Sequence, residues 1–480
     1  MTDGSSAAAR VARTKIVCTL GPASASPDVL RELIRAGMNV ARINFSHGTH
    51  AQHAETIAHV RAVAAELERP VAVLGDLQGP RIRIGELEHP RMLTPGVELV
   101  FAPEGIAEGD ETPVTYDDLA RDVQEGDRIL VDDGLIDLVV TSVSPPRLRA
   151  RVVHGGQLRS HKGMNLPGVQ VSAPSITEKD RADIAFAVQQ DVDFLALSFV
   201  RRREDVEMMR ALVPKSVLIV AKIEKDTALD NIDSIVAASD AVMVARGDLG
   251  VELPFEKVPI AQKQIIALAN TLGRPVITAT QMLESMISNP RPTRAEASDV
   301  ANAILDGTDA VMLSAETATG AYPVLAVIAM SRIIAEIERH PPARERRAQL
   351  SVRPREGKVS TEEAIAAATV AAVRMIDAPV VIVFTKSGFS ARIVSSHRPE
   401  VPFVALTDVE RTYRQLALVW GAIPERIPPT DERQYSDMVQ YGLQAVRRLE
   451  LARPGDRVIV TAGVPFDVPG TTNFMKVEVV

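Results

Sequence analysis

Two charged residues end an apolar run in the stretch SVLIVAKIEK, residues 216–225. Lys222 and Glu224 lie two positions apart, so on a β-strand both side chains point to the same side. Asp248 follows the next apolar run and adds a second carboxylate. Two carboxylates supply the hard oxygen ligands that Mg2+ or Mn2+ prefers. The alternative is ordinary ion pairing of the two acids with Lys222 and Arg246.

Polar side chains end most of the other apolar runs in a similar way. A single polar strand end is usually solvated, but six of eight apolar runs in the first 340 residues show the pattern. If these runs are parallel strands, one mouth of the fold collects cations, carboxylates and hydroxyls. Besides Lys222 and Glu224, the residues at these ends are Arg42, Asn44, Ser46, Asp76, Arg246, Asp248, Thr278, Thr280, Ser314 and Glu316.

The eight apolar, β-branched runs alternate with helix-like stretches, which is typical of parallel strands joined by helices. They predict an α/β fold, a closed (β/α)8 TIM barrel with its active site at the carboxyl ends of the strands. The runs are TKIVCTLG, NVARINFS, VAVLGDLQ, DFLALSFV, SVLIVAKIE, DAVMVARGDLG, PVITATQM and DAVMLSAET, which start at positions 14, 39, 71, 193, 216, 240, 275 and 309.

The spacing of the runs also predicts how the chain divides into domains. Short alternating strands and turns after the third run predict an inserted all-β domain, either a mobile lid over the active site or a peripheral addition. A charged, proline-rich linker then precedes a small carboxyl-terminal α/β domain. The predicted parts are a flexible tail at 1–13, the barrel at 14–80 and 174–340, the β lid at 81–173, the linker at 341–358 and the last domain at 359–480.

The bulk composition argues against several classes of protein. The formal net charge of −8 over 480 residues disfavours binding to nucleic acid. No run approaches the ~18 uncharged apolar residues of a membrane span. Cys18 is the single cysteine, which excludes internal disulfides and indicates a reducing compartment. The first residues lack the apolar core of a signal peptide, so the cytoplasm is the expected location.

Cations and glycines near the strand ends indicate what the mouth binds. Arg42 and Arg83 can bind a phosphate with two N–H donors of each guanidinium group. Lys222 offers a compact positive charge beside a phosphoryl group in transfer. Gly247 and Gly250 in RGDLG allow backbone N–H groups to approach an anion. The alternatives are that the cations form salt bridges at the strand ends and that the glycines only allow the chain to turn. The set suits phosphoryl transfer, and equally an enolate stabilised by a metal ion and an ammonium.

Several longer motifs resemble those of the pyruvate kinase family over residues 14–480. In chain order they are ARINFSHG, LGDLQGPRIRIG, HKGMNLPG, ITEKD, AKIE, VARGDLGVE, TATQMLESM, MLSAETATGAYP and TKSG. The resemblance implies a barrel, an inserted β lid and a carboxyl-terminal α/β domain, assembled as a homotetramer. It also implies the last step of glycolysis, transfer of a phosphoryl group from phosphoenolpyruvate to ADP, which yields pyruvate and ATP.

Carried over position by position, the resemblance implies roles for individual residues. Lys222 would stabilise the phosphoryl group in transfer and the enolate left behind, and Arg42 would bind phosphate. Thr280 or Ser314 would relay a proton to the enolate, through water. The remaining implied roles are Mg2+ or Mn2+ binding by Glu224 and Asp248, a wall around the substrate carboxylate from Gly247, Asp248 and Thr280, and ADP or ATP contacts from Asn44, His47, Arg83 and Lys162.

One motif departs from the potassium-dependent members of the family. In those members a Thr-Lys pair follows the aspartate and a glutamate follows Gly-Pro, whereas this chain reads DLQGPR from Asp76. Asn44, Ser46, Asp76 and Leu77 form the candidate K+ site. Arg81 replaces the acid and can supply the missing positive charge itself, so we expect activity without K+.

A hydroxyl-rich turn before a helix in the carboxyl-terminal domain is a candidate phosphate pocket for an allosteric effector. A helix cap without a ligand is the alternative. Family members activated by fructose 1,6-bisphosphate often carry a Trp and an Arg in a late loop, and the corresponding GVPFDVPGTTN has neither. Phe389 also stands where a polar residue is common in the family. Both differences argue against fructose 1,6-bisphosphate, so the candidate effector is another sugar phosphate or a nucleotide. The turn consists of Thr385, Lys386, Ser387, Gly388 and Ser390.

Two other functions stay open at this point. A Mg2+-dependent lyase or aldolase acting on pyruvate enolates would use the same metal, carboxylate wall and cation, but it needs neither His47, Lys162 nor a lid. A non-catalytic sugar-phosphate sensor, built on a barrel that no longer catalyses a reaction, would have lost some of Lys222, Glu224 or Asp248. This chain keeps all three.

Overall fold

The apolar runs form strands throughout the chain in a computed structural model, which describes residues 12–340, 359–429, 435–464 and 472–480. The predicted linker and nearly all of the predicted tail therefore lie outside the described residues. The strands are β1 Lys15–Thr19, β2 Val40–Asn44, β3 Ala72–Asp76, β4 Arg91–Met92, β5 Glu98–Pro103, β6 Thr112–Val114, β7 Arg128–Val131, β8 Ile136–Ser144, β9 Arg147–His154, β10 Gln157–Leu158, β11 Met164–Asn165, β12 Phe194–Leu197, β13 Leu218–Ile223, β14 Ala241–Ala245, β15 Val276–Ala279, β16 Ala310–Leu313, β17 Val381–Phe384, β18 Phe403–Thr407, β19 Ala422–Arg426, β20 Arg457–Ala462 and β21 Phe474–Val479.

Helices connect most of the parallel strands. Within the described ranges, none of them is long and apolar enough to cross a bilayer. They are α1 Pro27–Ala36, α2 His50–Glu66, α3 Leu119–Asp122, α4 Glu178–Gln189, α5 Arg203–Leu212, α6 Asp226–Asp230, α7 Ile232–Ala238, α8 Arg246–Glu252, α9 Val258–Thr271, α10 Arg294–Asp306, α11 Ala315–Ala318, α12 Pro323–Arg339, α13 Thr361–Ile376, α14 Phe389–Ser396, α15 Glu410–Gln415 and α16 Tyr435–Arg448.

Eight strands close a parallel barrel in the order β1-β16-β15-β14-β13-β12-β3-β2. Each of them lies within one of the eight predicted runs, so the predicted barrel is confirmed. Val17, Val220 and Ile277 belong to a cluster of fully buried side chains contributed by the barrel strands. The barrel interior is therefore a packed core, and function must lie at a rim.

The segment between β3 and β12 builds the predicted β structure with a core of its own. Six strands form a sheet in the order β11-β7-β8-β9-β5-β6, and β10 pairs with β4. Phe101, Ile129 and Leu138 are buried within it. Residues 81–173 of this segment, called the lid below, follow Asp76 at the carboxyl end of β3. The lid therefore stands at the rim where a TIM barrel carries its active site.

The carboxyl-terminal domain is a five-stranded sheet in the order β19-β18-β17-β20-β21, in which the last strand runs antiparallel to β20. It meets the barrel at the end opposite to the lid. Ala417 and Leu418 enter the core of the barrel strands. Arg414 Nε lies 2.8 Å from Asp193 Oδ1, just before β12. The last domain thus closes the amino-terminal end of the barrel and leaves the mouth to the lid.

Candidate active site

Lys222 lies near the carboxyl end of β13, and oxygens surround its ammonium group. Nζ lies 2.9 Å from Glu224 Oε1 and 3.1 Å from Asp76 Oδ1. It also donates a hydrogen bond to Ser198 Oγ at 2.7 Å. Lys222 is 8% exposed, and both acids are more deeply buried. The period of the strand brings Lys222 and Glu224 together, and the barrel adds Asp76 from another strand.

These contacts shift the pKa values of Lys222 and Asp76. Burial disfavours the ammonium form, but the carboxylates of Asp76 and Glu224 outweigh burial and raise the pKa of Lys222. Burial also disfavours the Asp76 carboxylate, but the charges of Arg42 and Lys222 outweigh burial and lower the pKa of Asp76. At neutral pH Lys222 is therefore a cation and Asp76 an anion.

Arg42 on β2 shares the Asp76 carboxylate with Lys222. Its Nε donates to Asp76 Oδ2 at 2.6 Å, and its Nη1 donates to Thr19 Oγ1 at 2.8 Å. These bonds fix the orientation of a guanidinium group in a residue that is only 9% exposed. Two cations thus share one carboxylate at the mouth, which favours binding of a phosphate.

Glu224 is held by the backbone of the neighbouring strand connection. The N–H of Phe199 donates to Glu224 Oε2 at 2.6 Å. Phe199 has a φ of 54°, a left-handed conformation that is rare for an aromatic residue. Burial raises the pKa of Glu224, the Lys222 charge opposes the rise, and the nearby Asp248 carboxylate adds to it. Two carboxylates that repel each other in a buried site fit a hard divalent cation.

Asp248 does not lie on a strand end, contrary to the sequence prediction. β14 ends at Ala245, and Arg246, Gly247 and Asp248 form the first turn of α8. Arg246 donates from Nη2 to the carbonyl of Thr280 at 2.7 Å and pairs with Asp299 Oδ2 at 2.7 Å. Its charge is therefore paired within the barrel, while the helical turn carries Asp248 toward Glu224.

Thr280 ties the end of β15 to the start of α8. Its Oγ1 accepts the N–H of Gly247 at 2.7 Å and donates to the carbonyl of Ala279 at 2.7 Å. Thr280 has a φ of 68°, a strained conformation for a β-branched residue. Such strain persists only where surrounding bonds impose it, and here it brings a hydroxyl and a glycine backbone together at the rim.

Two further residues expected at the mouth have internal partners instead. Thr278 is fully buried, and its Oγ1 donates to Thr308 Oγ1 at 2.9 Å. β16 ends before Ser314, and Glu316 lies on α11, where it accepts the N–H of Ser314 at 2.7 Å. The prediction was wrong for Thr278 and Glu316, because their polar atoms satisfy groups inside the fold. Ser314 stays at the rim, half-buried.

A cleft of about 400 Å3 separates the mouth from the lid. Asp248 lines it from the barrel, and Arg83 and Lys162 line it from the lid. Lys162 Nζ forms an ion pair with Asp132 Oδ1 at 2.8 Å. Burial and the neighbouring Arg81 charge lower the pKa of Arg83. Cations crowded on one wall favour a polyanionic ligand.

The loop after β2 lies near Arg81 and Arg83, which line this cleft. Asn44 Oδ1 accepts the N–H of Ser46 at 3.1 Å. His47 is exposed, and partial burial followed by the charges of Arg81 and Arg83 lowers the pKa of its imidazole. His47 is therefore neutral at pH 7 and available as a hydrogen-bonding group beside the cations.

Asp76 and Leu77 of the candidate K+ site have other partners for their oxygens. One Asp76 oxygen lies 2.6 Å from Arg42 Nε and the other 3.1 Å from Lys222 Nζ. The carbonyl of Leu77 accepts a hydrogen bond from Ser198 Oγ at 2.7 Å. Protein cations and a hydroxyl thus contact these oxygens directly.

The turn proposed for an effector leads into α14. Gly388 precedes the helix with a φ of 76°. Lys386 Nζ lies 2.9 Å from Asp408 Oδ2, and Ser390 Oγ accepts a hydrogen bond from Thr472 Oγ1 at 2.7 Å. Thr385 is buried, Ser387 is exposed, and most of the late loop GVPFDVPGTTN lies outside the described residues.

Sequence reasoning missed two partners of the central cluster. Ser198 donates to the backbone and accepts from Lys222, and its place as the one polar residue within the apolar stretch FLALSFV could have identified it. Asp76 was expected at the mouth and in the K+ site, but not as a partner of Lys222, which it contacts. No sequence signal reveals the positive φ of Phe199 that directs its N–H toward Glu224.

Known proteins resemble this chain over nearly its whole length. Two family models match, "Pyruvate kinase, barrel domain" over residues 11–327 and "Pyruvate kinase, alpha/beta domain" over residues 363–478. The pyruvate kinase of Geobacillus stearothermophilus is 47% identical over 476 residues, which cover 98% of this chain and 80% of the relative. The pyruvate kinase of Clostridium acetobutylicum is 42% identical over 480 residues, 98% of this chain and 99% of the relative.

A solved structure agrees with the sequence matches. The crystal structure of a pyruvate kinase from Cryptosporidium parvum aligns with a TM-score of 0.92 at 37% sequence identity. The alignment covers 98% of this chain and 97% of that chain. The similarity therefore extends to the barrel, the lid and the last domain together.

Proposed function

The chain belongs to the pyruvate kinase family, and we propose that its barrel mouth transfers the phosphoryl group of phosphoenolpyruvate to ADP, giving pyruvate and ATP. The observation that carries this proposal is the position of the Lys222 ammonium between the Asp76 and Glu224 carboxylates, at 3.1 Å and 2.9 Å. Charge-stabilising groups of this kind supply most of the catalysis in phosphoryl transfer.

Lys222 and Arg42 are proposed to act on the charges that move. The phosphorus–oxygen bond of the enol phosphate breaks, a new bond forms to a terminal oxygen of ADP, and an enolate remains. Lys222 stabilises the transferring group and the enolate oxygen, because its raised pKa keeps it cationic. Arg42, oriented by Asp76 and Thr19, binds the phosphate.

Glu224 and Asp248 are the residues that would hold Mg2+ or Mn2+. When bound, the ion supplies positive charge to the phosphate and enolate oxygens. Among the residues that the structure describes, no group of three or more His, Cys, Asp or Glu side chains could hold a metal ion. Two protein carboxylates leave ligand positions for water and substrate oxygens, as is usual for Mg2+.

Proton delivery and substrate orientation are assigned to residues that follow β14, β15 and β16 at the mouth of the barrel. The enolate must gain a proton at carbon to become pyruvate, and Thr280 or Ser314 is proposed to relay it through water. Gly247, Asp248 and Thr280 are proposed to surround the substrate carboxylate, since Thr280 Oγ1 holds the Gly247 backbone at 2.7 Å.

The lid side of the cleft is proposed to bind ADP. Arg83 and Lys162 line the cleft and carry charge that complements a diphosphate. Asn44 and His47 lie on the loop after β2, and neutral His47 adds a hydrogen-bonding group without more positive charge. The division leaves phosphoenolpyruvate against the barrel and the nucleotide against the lid.

K+ is proposed to be dispensable. Arg42 and Lys222 already contact the Asp76 carboxylate, and Ser198 contacts the Leu77 carbonyl. Full turnover is expected with a tetramethylammonium salt as the only monovalent cation. A requirement for added K+ in that assay would contradict the proposal.

Other expectations from the sequence stay predictions. They are the exact domain boundaries, the homotetramer, the cytoplasmic location and the effector turn at Thr385, Lys386, Ser387, Gly388 and Ser390. Titrating sugar phosphates and nucleotides against phosphoenolpyruvate saturation curves tests the effector turn.

The test of the function is ATP formation from phosphoenolpyruvate, ADP and Mg2+ by the purified protein. Equal amounts of pyruvate and ATP are expected. A lyase or aldolase would consume an enolate substrate without forming ATP, and a sugar-phosphate sensor would show no turnover. Absence of ATP formation would reject the proposed function.

A further inference from the structure

Glu252 at the end of α8 joins the lid to the barrel. It is 5% exposed, and its Oε1 accepts a hydrogen bond from Asn165 Nδ2 at 3.0 Å. Asn165 belongs to strand β11 of the lid and lines the cleft. A buried carboxylate on a barrel helix thus receives a donor from the domain above it.

The same oxygen also binds the residue that follows a proposed metal ligand. Lys225 Nζ lies 2.5 Å from Glu252 Oε1, and Lys225 directly follows Glu224. The Lys225 ammonium lies 6.0 Å from the centre of the Phe199 ring. Phe199 in turn donates its N–H to Glu224. Glu252 therefore connects a lid strand to the group of residues that orients Glu224.

Helix α8 touches the lid at its last turn and carries Asp248 in its first turn. A β-carbon built on Gly134, at the tip of a lid hairpin, would lie 3.9 Å from Val251 Cγ1. The end of α8 thus packs under the lid while its start carries a proposed ligand of the metal ion. The whole helix is seven residues long.

The other hydrogen bonds that the described residues make between barrel and lid lie at the lid's connection to the barrel. Arg201 donates to the carbonyls of Val171 and Ala173. These bonds fix the base of the lid but not its sheet. The bond from Asn165 to Glu252 holds the sheet itself, three residues after Lys162.

We propose that Glu252 is a positioning residue that latches the lid through Asn165 and thereby places Lys162 and Arg83 for the nucleotide. This inference rests on the proposed function, because it concerns how the nucleotide wall meets the barrel wall. A free lid sheet leaves the barrel residues in place but lets the nucleotide wall move. Phosphoenolpyruvate binding is then kept, and ADP binding is weakened.

The test is steady-state kinetics of Asn165→Ala, in which one hydrogen bond across the cleft is lost. The KM for ADP should rise about fivefold to tenfold, while the KM for phosphoenolpyruvate stays within about twofold. Asn289→Ala is the matched control, because Asn289 Nδ2 bonds to Ser285 and Ser288 in its own turn and, among the described residues, to no lid group. The control should leave both KM values unchanged.

A reciprocal exchange separates a latch from a direct nucleotide contact of Asn165. Asn165→Asp alone sets two carboxylates against each other and should raise the KM for ADP more than Asn165→Ala does. Adding Glu252→Gln removes this repulsion and leaves a single carboxylate at the contact, to which the new amide can donate. The double variant should therefore lower the KM for ADP below that of Asn165→Asp alone.

Each outcome decides between the proposals. Failure of the double variant to recover, or equal rises in both KM values for Asn165→Ala, would overturn the latch while the wild-type enzyme still forms ATP. Absence of ATP formation by the wild-type enzyme would instead reject the proposed function. Deuterium exchange at the methyl group of pyruvate is assigned by the proposed proton relay to Thr280 or Ser314 of the barrel, and it should be unaltered in Asn165→Ala.

Discussion

The two ends of the barrel each bury a lysine, and the surroundings of the two lysines differ. Lys222 at the mouth is 8% exposed, and Lys15 at the opposite end is 5% exposed. Lys222 lies within 3.1 Å of two carboxylates, whereas Lys15 Nζ donates to the backbone carbonyl of Ala422 at 2.7 Å. The pKa of Lys222 is raised. Burial lowers the pKa of Lys15 to about 8, although Glu338 partly opposes this effect.

The difference shows that neighbouring charges, and not burial, decide what a buried lysine can do. Two carboxylates keep Lys222 charged in a dry site, where its charge acts strongly on a ligand. Lys15 has no such pair beside it and joins the barrel to the carboxyl-terminal domain. The mouth is therefore arranged for charge stabilisation and the opposite end for attachment.

Of the substitutions at these two lysines and their partners, Lys222→Met should have the largest effect on kcat. The change removes the cation from the mouth, so kcat should fall by at least about 10^3-fold. A coupled pyruvate assay measures the loss, and the circular dichroism spectrum should match that of the wild type. Turnover within about tenfold of the wild type would contradict the role of Lys222.

Asp76→Asn should reduce the difference between the two lysines without removing either. Lys222 and Arg42 lose the carboxylate they share, and kcat should fall roughly 10- to 100-fold. The pKa of Lys222 should also fall, because an opposite charge that raised it is gone. The alkaline limb of the kcat/KM profile should therefore move to lower pH, and an unchanged limb would show that Lys222 is not the titrating group.

Lys15→Met should leave kcat within about twofold of the wild type, because Lys15 lies far from the mouth. It should change the pH dependence of stability instead. Between pH 8 and 10.5 the unfolded chain keeps the Lys15 proton and the folded chain has lost it, so wild-type stability rises with pH. The rise amounts to about 2 kcal/mol from pH 7 to pH 10 and should be absent in the variant. Urea unfolding at both pH values measures it, and parallel pH dependence of the two proteins would contradict the assignment.

The order of strands and helices was predictable from sequence because each barrel run is apolar and bounded by polar turns. The pairing of Lys222 with Glu224 was also predictable, since residues two positions apart on a strand point to the same face. The β lid was equally visible, because its short alternating strands interrupt the pattern after Asp76.

Contacts between distant segments were not predictable from spacing. No proline or helix-capping residue separates the strand from the residues up to Asp248 in DAVMVARGDLG, so the start of α8 was mistaken for a strand end. The ion pair of Arg246 with Asp299 and the bond of Asn165 to Glu252 depend on how helices and the lid pack. A single sequence carries no periodic signal for either.

The central claim is that Glu224 and Asp248 hold one divalent ion beside Lys222. Mn2+ binding by electron paramagnetic resonance, in the presence of phosphoenolpyruvate, tests it most directly in the wild type, Glu224→Gln and Asp248→Asn. Each variant should bind Mn2+ at least about 10- to 100-fold more weakly, because each loses one of two protein ligands. Unchanged Mn2+ affinity in either variant would contradict the account.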